Sequence, residues 1–68
     1  MLLLCENDTS KIYDDGDNYR VVTKKMEDLL IPKKEDPYFP LACYLKWGFK
    51  AVNTEYLEKL TKSNSKNF

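Results

Sequence analysis

Histidine is absent from this chain of 68 residues, cysteine and glycine occur twice each, and arginine occurs once. Each shortage removes a class of chemistry. A nucleophilic Cys5 or Cys43 would need a base, and no imidazole is there to serve. No Cys-x-x-Cys pair suggests zinc. Two glycines are too few for a phosphate-cradling loop of the Gly-x-Gly-x-x-Gly or Gly-Lys-Ser/Thr kind. No apolar run approaches the roughly 20 residues that span a bilayer. Met1-Leu2-Leu3-Leu4 lacks a basic flank and is too short for a signal peptide. The expectation is a non-enzymatic cytoplasmic protein with no cofactor and no metal. Cys5 and Cys43 sit in apolar runs, Leu2 to Cys5 and Leu41 to Tyr44, where a reduced thiol behaves as a small hydrophobe, so both are read as buried free thiols in a reducing compartment.

A chain this short buries only about 60% of the surface its unfolded form exposes, and the usual remedies for a thin core are missing. Without disulfides or a metal, a second copy or a partner protein becomes the expected supplement. Net charge is zero, with 11 basic and 11 acidic residues. Residues 1 to 31 carry seven acids against four bases and residues 32 to 68 carry seven lysines against four acids. That asymmetry falls short of the cationic excess of a nonspecific DNA binder.

The first half reads as strands. Leu2 to Cys5 is followed by the turn formers Glu6 to Ser10. Lys11-Ile12-Tyr13 and Tyr19 to Thr23 flank Asp14-Asp15-Gly16-Asp17-Asn18, which holds an Asp-Gly hairpin signal. A two-residue Asp15-Gly16 loop sets Lys11 opposite Arg20, and a three-residue loop sets Tyr13 opposite Tyr19; the aromatic pair is the better cross-strand match. Tyr19, Val22, Met26, Leu29 and Leu30 also lie at helical spacing. A helix from Asp17 or Asn18 to Ile31 is the rival, but the β-branched run Val21-Val22-Thr23 favours a hairpin. From Thr23 onward both readings give a short helix through Met26, Leu29 and Leu30, stopped by Pro32. Lys33 to Asp36 is then a stiff spacer before Pro37.

Pro37 to Leu60 holds six of the nine aromatic residues, Tyr38, Phe39, Tyr44, Trp47, Phe49 and Tyr56. Pro40 suits a first helical turn, Leu41 to Trp47 makes about two turns, and Gly48 suits the C-terminal cap. That helix is apolar nearly all round, which predicts enclosure on several sides. Asn53 or Thr54 caps a second helix whose apolar face is Val52, Tyr56, Leu57 and Leu60, with Glu55/Lys59 and Glu58/Lys62 as i,i+4 pairs. The fold expected is α+β, a two- or three-stranded antiparallel sheet from the N-terminal half packed against two or three short helices. One domain spans residues 1 to 62, and 63 to 68 form a frayed tail.

Asp14, Asp15 and Asp17 raise the question of calcium, but aligning Gly16 with the EF-hand glycine puts Lys11 and Tyr13 at ligand positions, so a solvated hairpin tip is expected. Asp14 to Val22 resembles the first hairpin of Tudor and related SH3-like barrels over nine residues. The resemblance implies the hairpin alone, because the prolines and helical patterns after Thr23 do not supply the remaining barrel strands. Leu41 to Leu60, with Cys43, Trp47, Phe49 and Leu57 at apolar positions and Gly48 between the helices, resembles a helix-turn-helix in outline. That resemblance implies a DNA-binding regulator with Lys46, Lys50, Lys59 and Lys62 toward the phosphates. Tyr44 stands where the family has a small residue, and Glu55 and Glu58 bring negative charge.

The leading expectation is a protein-binding regulator or inhibitor that occludes a site on a larger protein, with Tyr38, Phe39, Tyr44, Trp47 and Phe49 as the contact residues. Size and composition are similar to those of small viral and phage proteins that redirect host machinery. Alternatives are the DNA-binding regulator and a homo-oligomer, a homodimer for instance, built by pairing Leu2 to Cys5 strands across chains.

Overall fold

The computed structural model describes residues 1 to 25 and 28 to 65, the last three by their backbone alone. In chain order these form β1 (Leu2–Glu6), β2 (Ser10–Asp15), β3 (Asn18–Thr23), β4 (Leu29–Pro32), α1 (Phe39–Lys46), β5 (Lys50–Ala51) and α2 (Thr54–Ser65). The class is α+β, as expected, but the sheet has five antiparallel strands in the order β4-β3-β2-β1-β5 rather than two or three.

The β2–β3 hairpin forms in neither of the two registers expected from sequence. Asp15 pairs with Asn18 and Tyr13 with Arg20, so the loop is Gly16-Asp17. Gly16 has φ +70° while no other described residue except Gly48 has positive φ. A positive angle at the first central position alone is the type II′ pattern, which wants glycine first and matches the strand twist. β1 meets β2 through a turn in which Asn7 Oδ1 accepts the Thr9 and Ser10 N–H groups at 2.9 and 2.7 Å. The β1–β2 register shifts between Leu3 and Cys5, so Leu4 is the extra residue of a bulge.

Leu29 and Leu30 are not helical as expected from their spacing; they lie in β4, paired with Val21 and Arg20 of β3. Met26, the first apolar residue of the expected helix, lies outside the described residues. A three-residue apolar run is too short for periodicity to separate helix from strand, and β3 has a second row of backbone groups that needs partners. Pro32 ends β4 opposite Asn18. The connector that follows is folded back, not extended: Glu35 and Asp36 N–H both donate to Pro32 C=O at 3.0 and 3.2 Å.

Pro40 sits in the first turn of α1. At the other end Trp47 and Phe49 N–H both donate to Cys43 C=O at 3.2 Å, a reversal that Gly48 permits with φ +68°. Asn53 Oδ1 accepts the Tyr56 N–H at 2.9 Å and caps α2. Helix α2 continues through Ser65, and residues 66 to 68 of the expected tail lie outside the described residues.

Strand alternation puts Cys5, Ile12, Tyr19, Val21 and Ala51 on one face of the sheet, where both helices pack. Cys5, Ile12, Cys43 and Leu57 form the buried cluster, with Val21, Phe39, Phe49, Ala51 and Leu60 around it. Both cysteines are free and buried, as the sequence predicts. Burial pushes the Cys5 thiol up to about 11 and the Cys43 thiol, with added repulsion from Cys5 and Asp36, up to about 12. Thiols buried and held protonated in this way react slowly at neutral pH. A thiol-specific reagent at pH 8 is therefore expected to label neither cysteine until denaturant unfolds the chain. Stoichiometric labelling of the native protein within minutes would contradict this core.

Candidate functional site

Helix α1 is apolar on nearly all sides, Lys46 excepted, yet the fold covers only one of them. Pro40, Leu41 and Cys43 are buried, whereas Leu45 is 66% exposed, Trp47 61% and Tyr44 42%. The enclosure on several sides expected from sequence is absent, because this sheet offers one face and α2 flanks α1 on one side only.

The five aromatic candidates separate by environment. Phe39 is half-buried, its ring tilted against Tyr19 with centroids 6.4 Å apart and edge-on to Trp47, also at 6.4 Å. Phe49 is half-buried beside the central cluster. Phe39 thus supports Trp47 from below, and Phe49 belongs to the edge of the core. Tyr38 is half-buried just ahead of α1. Tyr44 and Trp47 stand three residues apart at the end of α1, the spacing of neighbours on one helical side, and face solvent. Leu45, the most exposed of the group, was not among the residues predicted from sequence; its signal was that Lys46 is the one charged residue of 41 to 47. A shallow groove of about 110 Å³ runs beside Tyr44 to Ala51, Leu57 and Thr61 between the helices.

The four lysines of the DNA-binding reading are exposed but dispersed. Lys50 pairs across the sheet with Glu6 on the face away from the helices, while Lys46 ends α1 and Lys59 and Lys62 lie on α2. Lys59 lies 3.6 Å from Glu55, with both side chains more than three-quarters exposed, a pair worth little. The connection from 47 to 53 contains β5 on the sheet edge, not the three- or four-residue turn of a helix-turn-helix.

Two of the three tip carboxylates, Asp14 and Asp15, are held in ion pairs. Asp14 and Asp15 point to opposite faces; Asp15 Oδ2 binds Arg20 Nη2 at 2.8 Å and Asp14 Oδ1 binds Lys33 Nζ at 2.7 Å. Among the described residues no three His, Cys, Asp or Glu side chains gather as a metal site. Lys33 also lies 5.5 Å from the Tyr19 ring centroid, and the Tyr19 hydroxyl donates to Pro37 C=O at 2.5 Å. Together these contacts fasten the connector, and with it the start of α1, to the sheet.

Burial opposes ionisation of Asp14, but hydrogen bonds from Lys33 and Tyr56 and the Lys33 charge outweigh it and hold the carboxyl below its ordinary value. A carboxyl lowered by folding adds stability above its unfolded pKa and loses it as pH falls through the folded value. Asp14→Asn is therefore expected to weaken the protein at pH 7 and to lose less additional stability than wild type between pH 5 and 3. Urea midpoints at those pH values measure it, and parallel acid losses in the two proteins would refute the assignment.

No family model matches the chain, and no match appears among curated proteins or solved structures. Among the described residues no helix is long and apolar enough to cross a membrane.

Proposed function

We propose that this chain is a non-enzymatic protein-binding regulator or inhibitor that acts by covering a site on a larger protein. The observation that carries the reading is the outer side of α1, where Tyr44, Leu45 and Trp47 are exposed together on a backing of half-buried Phe39. Aromatic anchors held by a packed base lose little side-chain freedom on binding, and Trp and Tyr are the residues that most often dominate interface energies. A cluster of this kind marks a contact site more often than a neutral surface. Both thiols of the chain are inside the core, so neither is offered at the surface as a cysteine nucleophile.

The test is capture from the source cell on the immobilised chain, with wild type and Trp47→Ala run in parallel and bound proteins identified by mass spectrometry. A discrete protein retained by wild type and lost with Trp47→Ala supports the proposal. Capture that Trp47→Ala leaves unchanged, or nucleic acid alone in the eluate, overturns it.

A further inference from the structure

The sheet has two edges of unequal kind. On one, β5 is two residues long, short enough to offer little to an incoming strand. On the other, β4 offers Leu29-Leu30-Ile31-Pro32, with Leu29 56% and Leu30 46% exposed. No charged side chain lies within β4, so a common guard against edge pairing is missing. β1, the strand that the homo-oligomer alternative pairs across chains, lies between β2 and β5 over Cys5 and Glu6.

Hydrogen-bond alternation fixes which β4 groups are free. Lys33 N–H donates to Asp17 C=O at 3.0 Å. With the register Tyr19 opposite Ile31 and Val21 opposite Leu29, the pairs that share hydrogen bonds are Asp17/Lys33, Tyr19/Ile31 and Val21/Leu29. Leu30 and Pro32 therefore direct their backbone groups away from the sheet. Proline is tolerated at position 32 because its missing N–H would have pointed outward. Leu30 N–H and C=O remain as an outward donor and acceptor pair.

The segment is complementary to its own reverse. Asp28 stands before the apolar run and Lys33 and Lys34 stand after it. Turning the strand end for end about Leu30 sets Leu30 against Leu30 of a second copy, with two reciprocal backbone bonds. Leu29 then meets Ile31 of the second copy, and the acidic end of each strand lies by the basic end of the other. Every β4 side chain from 29 to 31 finds an apolar partner, and at each end an acidic segment lies beside a basic one, with Asp28 and Lys33 on opposite faces of the sheet. Asp28 and Lys33 keep their own ion pairs, to Arg20 at 3.0 Å and Asp14 at 2.7 Å, so pairing of the copies breaks neither.

We infer that β4 is the dimerisation edge of this protein: two copies pair antiparallel about Leu30 to make one ten-stranded sheet. The two-fold axis stands perpendicular to the sheet, which puts both helical layers on the same side. A four-residue strand pair buries less than the roughly 1,200 Å² of a standard interface, so the dimer is a weak, reversible one. This inference is independent of the α1 surface and stands or falls without it.

Sedimentation equilibrium of the full chain over roughly 10 μM to 1 mM should show a monomer–dimer equilibrium. Leu30→Lys places like charges directly opposite across the two-fold and should raise the dissociation constant at least about tenfold. Its far-UV spectrum should match wild type, since the side chain is already half in solvent.

Disulfide trapping reads the register. Leu29 and Ile31 of the second copy form a pair with Cα atoms about 4.5 Å apart, within bridging range. Two copies of Leu29 are diagonal neighbours at about 7–8 Å, beyond it. A mixture of Leu29→Cys and Ile31→Cys chains should therefore cross-link under mild oxidation faster than either variant alone, and faster than Leu45→Cys on α1. The buried native thiols do not compete.

A monomer throughout the concentration range overturns the inference. So does a dimer indifferent to Leu30→Lys, and so does cross-linking of the mixture no faster than that of the single variants.

Discussion

Ile12→Ala is expected to leave this protein largely unfolded at 37 °C. Ile12 is 1% exposed and sits in the middle of the sheet, opposite Cys5 on β1 and Val21 on β3. On the helix side it shares its cluster with Cys43 and Leu57. Removing a buried isoleucine to alanine costs about 2–5 kcal/mol, the upper part of that range where neighbours cannot collapse into the space. Here they have little room to: two neighbours are strand residues held by ladders, and the others belong to helices packed on the sheet. A core of this size rarely supplies more than about 3–5 kcal/mol in total, so the loss is comparable to the whole stability. Ile12→Val removes one methylene and should cost about 0.5–1.5 kcal/mol, leaving a folded protein with a lower urea midpoint. Leu45→Ala, at the solvent side of α1, should change the stability by less than about 0.5 kcal/mol. Far-UV denaturation curves for the three variants measure the ordering. An Ile12→Ala midpoint no lower than that of Leu45→Ala would show that the core is not centred where these contacts put it.

The parts of this fold that were legible in the sequence are those fixed by local chemistry. Gly16 marked the hairpin, Pro40 and Gly48 bracketed α1, and Asn53 capped α2, because each residue type answers a backbone need within four residues of itself. The parts that were not legible depend on distant strands. Whether the hairpin turn begins at Asp15 or at Gly16 changes every cross-strand pair, yet Asp-Gly satisfies either at the level of composition. Leu29 and Leu30 fit a helical stripe with Val22 and Met26 as well as they fit a strand; what decides for β4 is the unpaired side of β3, invisible in any local window. β5 has two residues and no local signal at all, and Val52 and Asn53 N–H reach Leu4 C=O at 3.0 and 2.9 Å because α2 must return to the sheet. The candidate site was half legible for the same reason. The concentration of aromatics was plain, but which side of α1 they leave open depends on where the sheet ends, and Leu45 was missed on that account.

Trp47→Ala separates binding from folding, and the expected result is a loss of target affinity of about 30-fold or more, equivalent to about 2 kcal/mol, with the fold retained. Trp47 is 61% exposed, so truncation opens no internal cavity. Its contact with the fold includes the edge-on arrangement with Phe39, and such a ring pair is worth about 0.5–1.5 kcal/mol. The variant should therefore denature at slightly lower urea, far from the collapse expected for Ile12→Ala. Phe39 provides the contrast: it touches Trp47 above and Tyr19 below, so Phe39→Ala should weaken stability and binding together. That difference gives the comparison its force. If the exposed end of α1 is a docking surface, affinity falls steeply with Trp47→Ala while the urea midpoint barely moves. If Trp47 instead only shields Phe39, the two quantities fall in proportion across both variants, and titration of the captured target against each purified chain would show it.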